Sequence, residues 1–282
     1  MNKKKKKKKK QVQVIVSGAT GFIGQNLIPL LIKKKFEVVA IARNKKKALK
    51  FKWYNKVNFI FLDFHKKNLF FKPEKNAILI HLAWQGLPNY NSKFHVKENL
   101  PKNFNFIKKL IKNGVSKVIV TGTCFEYGFQ HGPISEAAPT KPANQYALAK
   151  DKLRQYLNLL KDNNSFTMQW LRLFYMYGKG QNKNSILAKL DKAIDDKLSV
   201  FNMSQGEQLR DYLPIKTVVN KIINILTLKK NGIFNICSGE PISIRRLVEN
   251  RIKERRSKIK INLGYYPYPK HEPMAFWGIN NN

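Results

Sequence analysis

Apolar and polar positions fall into two periods along this chain. Short runs rich in β-branched and aliphatic residues predict strands at Val12–Val16, Val38–Ala42, Phe59–Leu62, Ala77–Leu82 and Lys117–Thr121. Between several of them apolar residues recur at helical spacing, as in Phe22–Lys33 and Lys97–Lys112. A further helix is predicted from Gln145 and a further strand near Phe166. Strands that alternate with helices build βαβ units, so the expected architecture is α/β with a doubly wound parallel sheet. After Gly178 the pattern loses its regularity, and Pro214, Gly239 and the stretch "LGYYPYPKHEPMAFWG" interrupt it. That predicts a smaller C-terminal lobe. The expected division is an arm over residues 1–10, a main domain over 11–175 and the lobe over 176–282, with some of its segments returning to the main domain.

Between the first strand and the first helix lies "SGATGFIG", with Gly18, Gly21 and Gly24 three apart. A tight strand-to-helix turn, a pyrophosphate close to the backbone and a helix packed near the sheet all call for residues without Cβ. The helix N-terminus then faces the phosphates. This context points to a Rossmann-like dinucleotide site, with Phe22 and Ile23 opening the helix behind the turn. The second strand ends "VVAIARN", so Ala42 stands where an acid would bind the ribose hydroxyl of NAD, and Arg43 follows. An arginine suits the extra phosphate of NADP, and the reading is NADP, or NAD.

Composition changes the picture less than it first suggests. The net charge is +37 over 282 residues. Such charge is an electrostatic footprint for polyanions. Only nine of the 54 basic residues are arginine, however, and the lysines run along the whole chain. Base and phosphate recognition favours arginine forks, so no specific nucleic-acid partner is expected. The run Lys3–Lys10 cannot pack and is expected to be a disordered arm. No apolar stretch reaches membrane-spanning length, and nothing resembles a signal peptide. The two cysteines, Cys124 and Cys237, form no disulfide framework. A cytoplasmic setting without membrane partner follows. His65, His95, His131 and His271 lack metal-ligand spacing, and His81 in an apolar strand is expected to be a satisfied core histidine. No metal is expected.

"NQYALAK" places Tyr146 and Lys150 four apart on one helix face. A phenol with an ordinary pKa of about 10 is a poor base. A nearby ammonium favours the phenolate and lets it exchange a proton while a hydride moves to or from a nicotinamide.

In chain order, "SGATGFIG", "HLAW", "TGTCFEYG", "YALAK", "LRLFYMYG" and "LRDYLPI" resemble the extended short-chain dehydrogenases/reductases, most of all the branch of nucleotide-sugar 4-reductases and epimerases. The longer segments "HLAWQGLPNY" and "NMSQGEQLRDYLP" narrow the resemblance to enzymes that interconvert a dTDP-6-deoxy-hexose and its 4-keto form. The resemblance implies that Gly18, Gly21 and Gly24 form the phosphate turn, that Asp63 contacts the adenine amine, and that Ala83 lies where the chain passes the cofactor. It implies Thr123, Tyr146 and Lys150 as the catalytic set, with Thr123 bonding the reacting sugar oxygen and Lys150 holding the nicotinamide ribose. It implies that Arg210 grips the nucleotide diphosphate, and that the chain forms a homodimer. Asp63 capping a turn and Arg210 pairing with Glu207 are the alternatives. Cys124 and Phe125 stand where dehydratases carry Asp and Glu, so dehydration is not expected. Tyr175 replaces the Asn common in epimerases, which favours the reductase. A 4-epimerase of the same fold and a non-catalytic basic Rossmann binding protein remain the rival readings.

Overall fold

The computed structural model describes residues 11–66, 71–268 and 272–279. The lysine arm and His271 lie outside them. Seven parallel strands form the central sheet: β1 (Gln13–Ser17), β2 (Glu37–Ala42), β3 (Asn58–Phe61), β4 (Ala77–His81), β5 (Val115–Thr123), β6 (Thr167–Leu173) and β7 (Gly232–Ile236). Their order is β7-β6-β5-β4-β1-β2-β3, and each neighbouring pair runs parallel. The order reverses direction between β1 and β4, and ligands bind such sheets at that switch point.

The strands read as near-continuous apolar runs because both faces are covered. Val14, Val16, Val38 and Ala40 meet α1 (Phe22–Lys33) on one face, with Ile222 and Leu226 of a later helix (Ile215–Thr227). Ile15, Val39, Leu79 and Val118 meet α2 (Leu100–Lys112) and α3 (Gln145–Asp162) on the other. The expected strands and helices are thus present, with ends shifted by one or a few residues. The helix expected from Lys97 differs in kind, because His95–Asn99 is a π-helical turn that runs into α2.

A separate core forms in the C-terminal part, where Leu187, Leu190, Phe201, Met203, Leu247 and Val248 pack together. A four-stranded sheet of short segments joins Ile242–Ser243, Leu209–Arg210, Ala275–Gly278 and Gly132–Ile134. One of its strands, Gly132–Ile134, comes from the N-terminal part, while β7 comes from the C-terminal part and joins the central sheet. This crossing of segments brings Arg210 beside Phe125 and Tyr175, which follow the ends of β5 and β6 in the chain.

Candidate active site

The turn after β1 is built by close backbone approach. A Cβ on Gly18 would lie 2.8 Å from the Ala83 nitrogen, and Gly18 sits at φ +75°. A Cβ on Gly24 would lie 2.5 Å from the Gly18 carbonyl oxygen. Any side chain at either place would push the helix off the sheet or block the groove between them. The Gly21 N–H donates to the Gly18 oxygen at 2.9 Å and closes the turn. Ala83 is therefore beside Gly18.

From this turn the cleft extends both ways across the switch point. One arm, a cavity of ≈ 600 Å³, is lined by Gly18, Gly21, Arg43, Lys47, Asp63 and Ala83, among others. The other, ≈ 470 Å³, reaches past Phe22, Ile23 and Gly24 to Thr123, Tyr146 and Lys150. The ten residues assigned to a cofactor therefore lie along one continuous cleft, and its glycine floor fits a dinucleotide. Asp63 lines that cleft and also caps a turn, its carboxylate accepting from His65 N at 3.1 Å. Arg43 is exposed at the rim.

Thr123 is the last residue of β5 and the cap of a short 3₁₀ turn, Cys124–Tyr127. Its Oγ1 accepts from Phe125 N at 3.3 Å, and its hydroxyl is left to bond the Tyr146 phenol in the cleft. α3 starts at the Asn144 cap, whose side chain accepts from Ala147 N at 2.9 Å. The 3.6-residue period then turns Tyr146 and Lys150 to the same buried face, 8% and 1% exposed.

The electrostatics differ from the sequence expectation at Tyr146. Burial raises the phenol well above its ordinary value, the nearby Glu126, Tyr90 and Cys124 add to this, and a hydrogen bond with Thr123 opposes it. Lys150 does not offset these, because its amine is engaged elsewhere. Its Nζ donates to the Thr121 carbonyl at 2.7 Å and lies 4.1 Å from the centre of the Trp84 ring. Burial lowers the Lys150 amine to about 7, against the pull of Glu126. Without cofactor, Tyr146 thus keeps its proton.

Sequence reading missed what holds Thr123. The Glu126 carboxylate is fully buried and accepts from Thr123 N at 2.8 Å, Trp170 Nε1 at 3.0 Å and Arg172 Nε at 2.9 Å. Arg172 is itself 1% exposed, with its guanidinium 4.3 Å from the Tyr127 ring. A Cβ on Gly122 would overlap both the Trp170 indole nitrogen and the carboxylate, so only glycine fits beside this pair. The signal was available in "FEYG" and "QWLRLF": an acid and an arginine inside apolar runs, each needing a buried partner.

Arg210 is 3% exposed and pairs with Glu272 at 3.0 Å, while Glu207 reaches Arg245 instead, at 3.8 Å. Its guanidinium stands 6.0 Å from the Tyr175 ring, in a small cavity with Phe125, Asn144 and Phe276. The expected alternative pairing with Glu207 is therefore absent. His81 is the satisfied core histidine expected, between Ser17 Oγ and Asn103 Oδ1 at 2.8 and 2.7 Å, and burial lowers it to about 3. Cys124 is buried, and burial raises its thiol far above the range of a nucleophile. Among the described residues no group of three or more His, Cys, Asp or Glu is placed to hold a metal, and no helix is long and apolar enough to cross a membrane.

The model of the NAD dependent epimerase/dehydratase family matches residues 14–237. The chain is 33% identical over 273 residues to a dTDP-6-deoxy-L-talose 4-dehydrogenase (NAD(+)) of Aggregatibacter actinomycetemcomitans, covering 95% of this chain and 99% of that one. It is 29% identical to a dTDP-4-dehydro-6-deoxyglucose reductase of Escherichia coli, over 84% of this chain and 79% of that one. Among solved structures it is similar to UDP-glucuronic acid 4-epimerase from Bacillus cereus in complex with NAD. The TM-score is 0.81 at 22% identity, covering 96% of this chain and 88% of that one.

Proposed function

The chain belongs to the NAD dependent epimerase/dehydratase family, and from that premise we propose that it is a cytoplasmic oxidoreductase interconverting a dTDP-6-deoxy-hexose, of the 6-deoxy-L-talose type, and its 4-keto form. The observation that carries this reading is the convergence of Thr123, Tyr146 and Lys150 on the same cleft as the glycine turn. The bound nicotinamide supplies or accepts the hydride. In the reducing direction negative charge grows on the sugar carbonyl oxygen. The Thr123 hydroxyl and the Tyr146 phenol donate to that oxygen, which stabilises the transition state more than the ground state. Tyr146 then gives up its proton, which burial has kept on it. Lys150, turning from Thr121, holds the nicotinamide ribose and meets the phenolate that forms.

Arg210 holds the diphosphate through charge-assisted bonds that take the place of Glu272. Cys124 and Phe125 offer no acid for elimination, so water is not lost from the sugar. A shared homodimer interface over α3 is part of this reading, supported by the exposed Leu159 and Tyr156 on that helix.

The reading is tested with dTDP-, GDP- and UDP-linked 4-keto sugars and NADH or NADPH, followed by nicotinamide absorbance. Reduction is expected, fastest with a dTDP-6-deoxy-4-keto sugar. Sugar isomerisation without net cofactor consumption would assign the epimerase instead, and cofactor binding without turnover of any sugar the binding protein.

The adenosine end of the cleft carries Arg43 and Lys47, with Asp63 as its only acid among the lining residues. This supports room for a 2′-phosphate alongside the NAD use named for the family. The Arg43→Asp variant is expected to weaken NADPH binding about ten- to a hundredfold, the worth of one charge-assisted contact, with little change for NADH. Equal losses for both, measured by fluorescence titration, would remove Arg43 from cofactor choice.

A further inference from the structure

Trp84 lines the cleft and has no part in the proposed mechanism. It lines both arms of the cavity, and its ring meets both Lys150 and Tyr146. One face carries the Lys150 ammonium at 4.1 Å from the ring centre. Its edge meets the Tyr146 ring at a centroid distance of 5.9 Å. Its Nε1–H donates to His95 Nδ1 at 3.1 Å.

His95 is fully buried, and its hydrogen bonds leave it one arrangement. Nε2 faces the Asn89 carbonyl oxygen at 2.8 Å, and a carbonyl only accepts. The proton is therefore on Nε2, and Nδ1 is the acceptor for Trp84. Asn99 supports both ends of this link. Its Nδ2 donates to the Gln85 carbonyl at 2.8 Å and lies 3.2 Å from His95 Nδ1. His95 and Asn99 bound the π-helical turn, a local widening often found at functional sites. Asn103 donates to the Asn99 carbonyl at 2.6 Å and bonds His81, which ties the turn to β4 in the core. A rigid chain of contacts thus runs from the sheet to the indole.

We propose that Trp84 is a positioning residue for the reaction: its indole face seats the Lys150 ammonium, and His95 sets the orientation of that face. This rests on the roles given above to Lys150 and Tyr146. An ammonium over an aromatic face is attracted by the ring quadrupole, more so where water is excluded. Lys150 needs such support, because its burial works against the charge. The groups facing it are few. Glu126 approaches from the 3₁₀ turn and favours the cation. Tyr146 lies one turn back on α3, and His81 on β4 is neutral above about 3. The Thr121 carbonyl takes one of its three protons.

The test compares Trp84→Leu, which keeps apolar volume without a ring face, with Trp84→Phe, which keeps the face and loses the bond to His95. Loss of the cation–π contact lowers the Lys150 pKa. For Trp84→Leu the basic limb of the kcat/KM profile for reduction is expected to move to lower pH by about half a unit to one and a half units. For Trp84→Phe it is expected to stay within about half a unit of the unmodified protein, with turnover reduced. Competitive acetylation of Lys150 across pH, read by mass spectrometry without cofactor or sugar, is expected to show the same ordering. Coincident titrations of Lys150 in all three proteins would overturn the proposal, as would equal shifts in the two variants. A Lys150→Met control separates the two levels. If it loses activity and the limb while Trp84→Leu leaves both unchanged, only the role of Trp84 fails. If Lys150→Met retains full activity, the mechanism itself fails.

Discussion

Tyr146→Phe is expected to lower turnover of a 4-keto nucleotide sugar by about 10²–10⁴-fold, the usual contribution of a positioned proton donor. The ring stays in its place between Tyr90, Trp84 and His95, whose rings lie 5.7, 5.9 and 5.5 Å away between centroids. Cofactor binding is expected to change little, because the phenol proton serves the sugar oxygen rather than the dinucleotide. Stopped-flow absorbance of NADH oxidation gives the rate, and fluorescence titration gives the affinity. A Tyr146→Phe protein that reduces the sugar at nearly the unmodified rate would mean that another group donates the proton. Thr123 is the neighbour to examine next, since its hydroxyl proton is the other donor at that spot.

The second large effect concerns stability. Glu126→Leu leaves the Arg172 guanidinium buried at 1% exposure without its counter-ion, and it strips the acceptor from Thr123 N and the Trp170 indole. Breaking a buried pair from one side typically costs about 3–5 kcal/mol. The midpoint of guanidinium denaturation is expected to fall accordingly, with the slope unchanged. Replacing both partners, Glu126→Leu with Arg172→Met, removes the stranded charge and is expected to recover a large part of that loss. If the single variant loses less than about 1 kcal/mol, the carboxylate is not what neutralises Arg172. The pair also explains why β5 ends in Gly122-Thr123: the carboxylate that holds the Thr123 amide occupies the place of a Cβ at Gly122.

Much of this molecule is readable without coordinates. The strand and helix periods predicted the parallel sheet because parallel strands are buried on both faces and show it as apolar runs. The glycine spacing predicted the turn because Gly21 and Gly24 close on the Gly18 carbonyl within a few residues, whereas the approach of Gly18 to Ala83 is made only by the fold. Tyr146 and Lys150 were legible for the same reason, since a four-residue spacing on a helix fixes which face both occupy. The alternative for Arg210 was also sequence-local, and it was the one that did not form: a neighbour three residues away lost to Glu272, 62 residues on, because the parallel pairing of Leu209–Arg210 with Ala275–Gly278 brings them together.

The chain by itself therefore determined the sheet, the turn and the candidate donors, all of which depend on short-range patterns of shape and polarity. Tertiary structure alone decided the charge state and aim of those donors. Whether a phenol is held protonated depends on how deeply it is buried and which charges surround it. At Tyr146 those are Glu126, 20 positions earlier, and Tyr90, 56 positions earlier. Whether a lysine faces a ribose, a carbonyl or an indole depends on what the fold places within a few ångströms. Trp84, His95, Glu126, Trp170 and Arg172 act through contacts that join separate elements, and no period in the sequence records which partner each will meet.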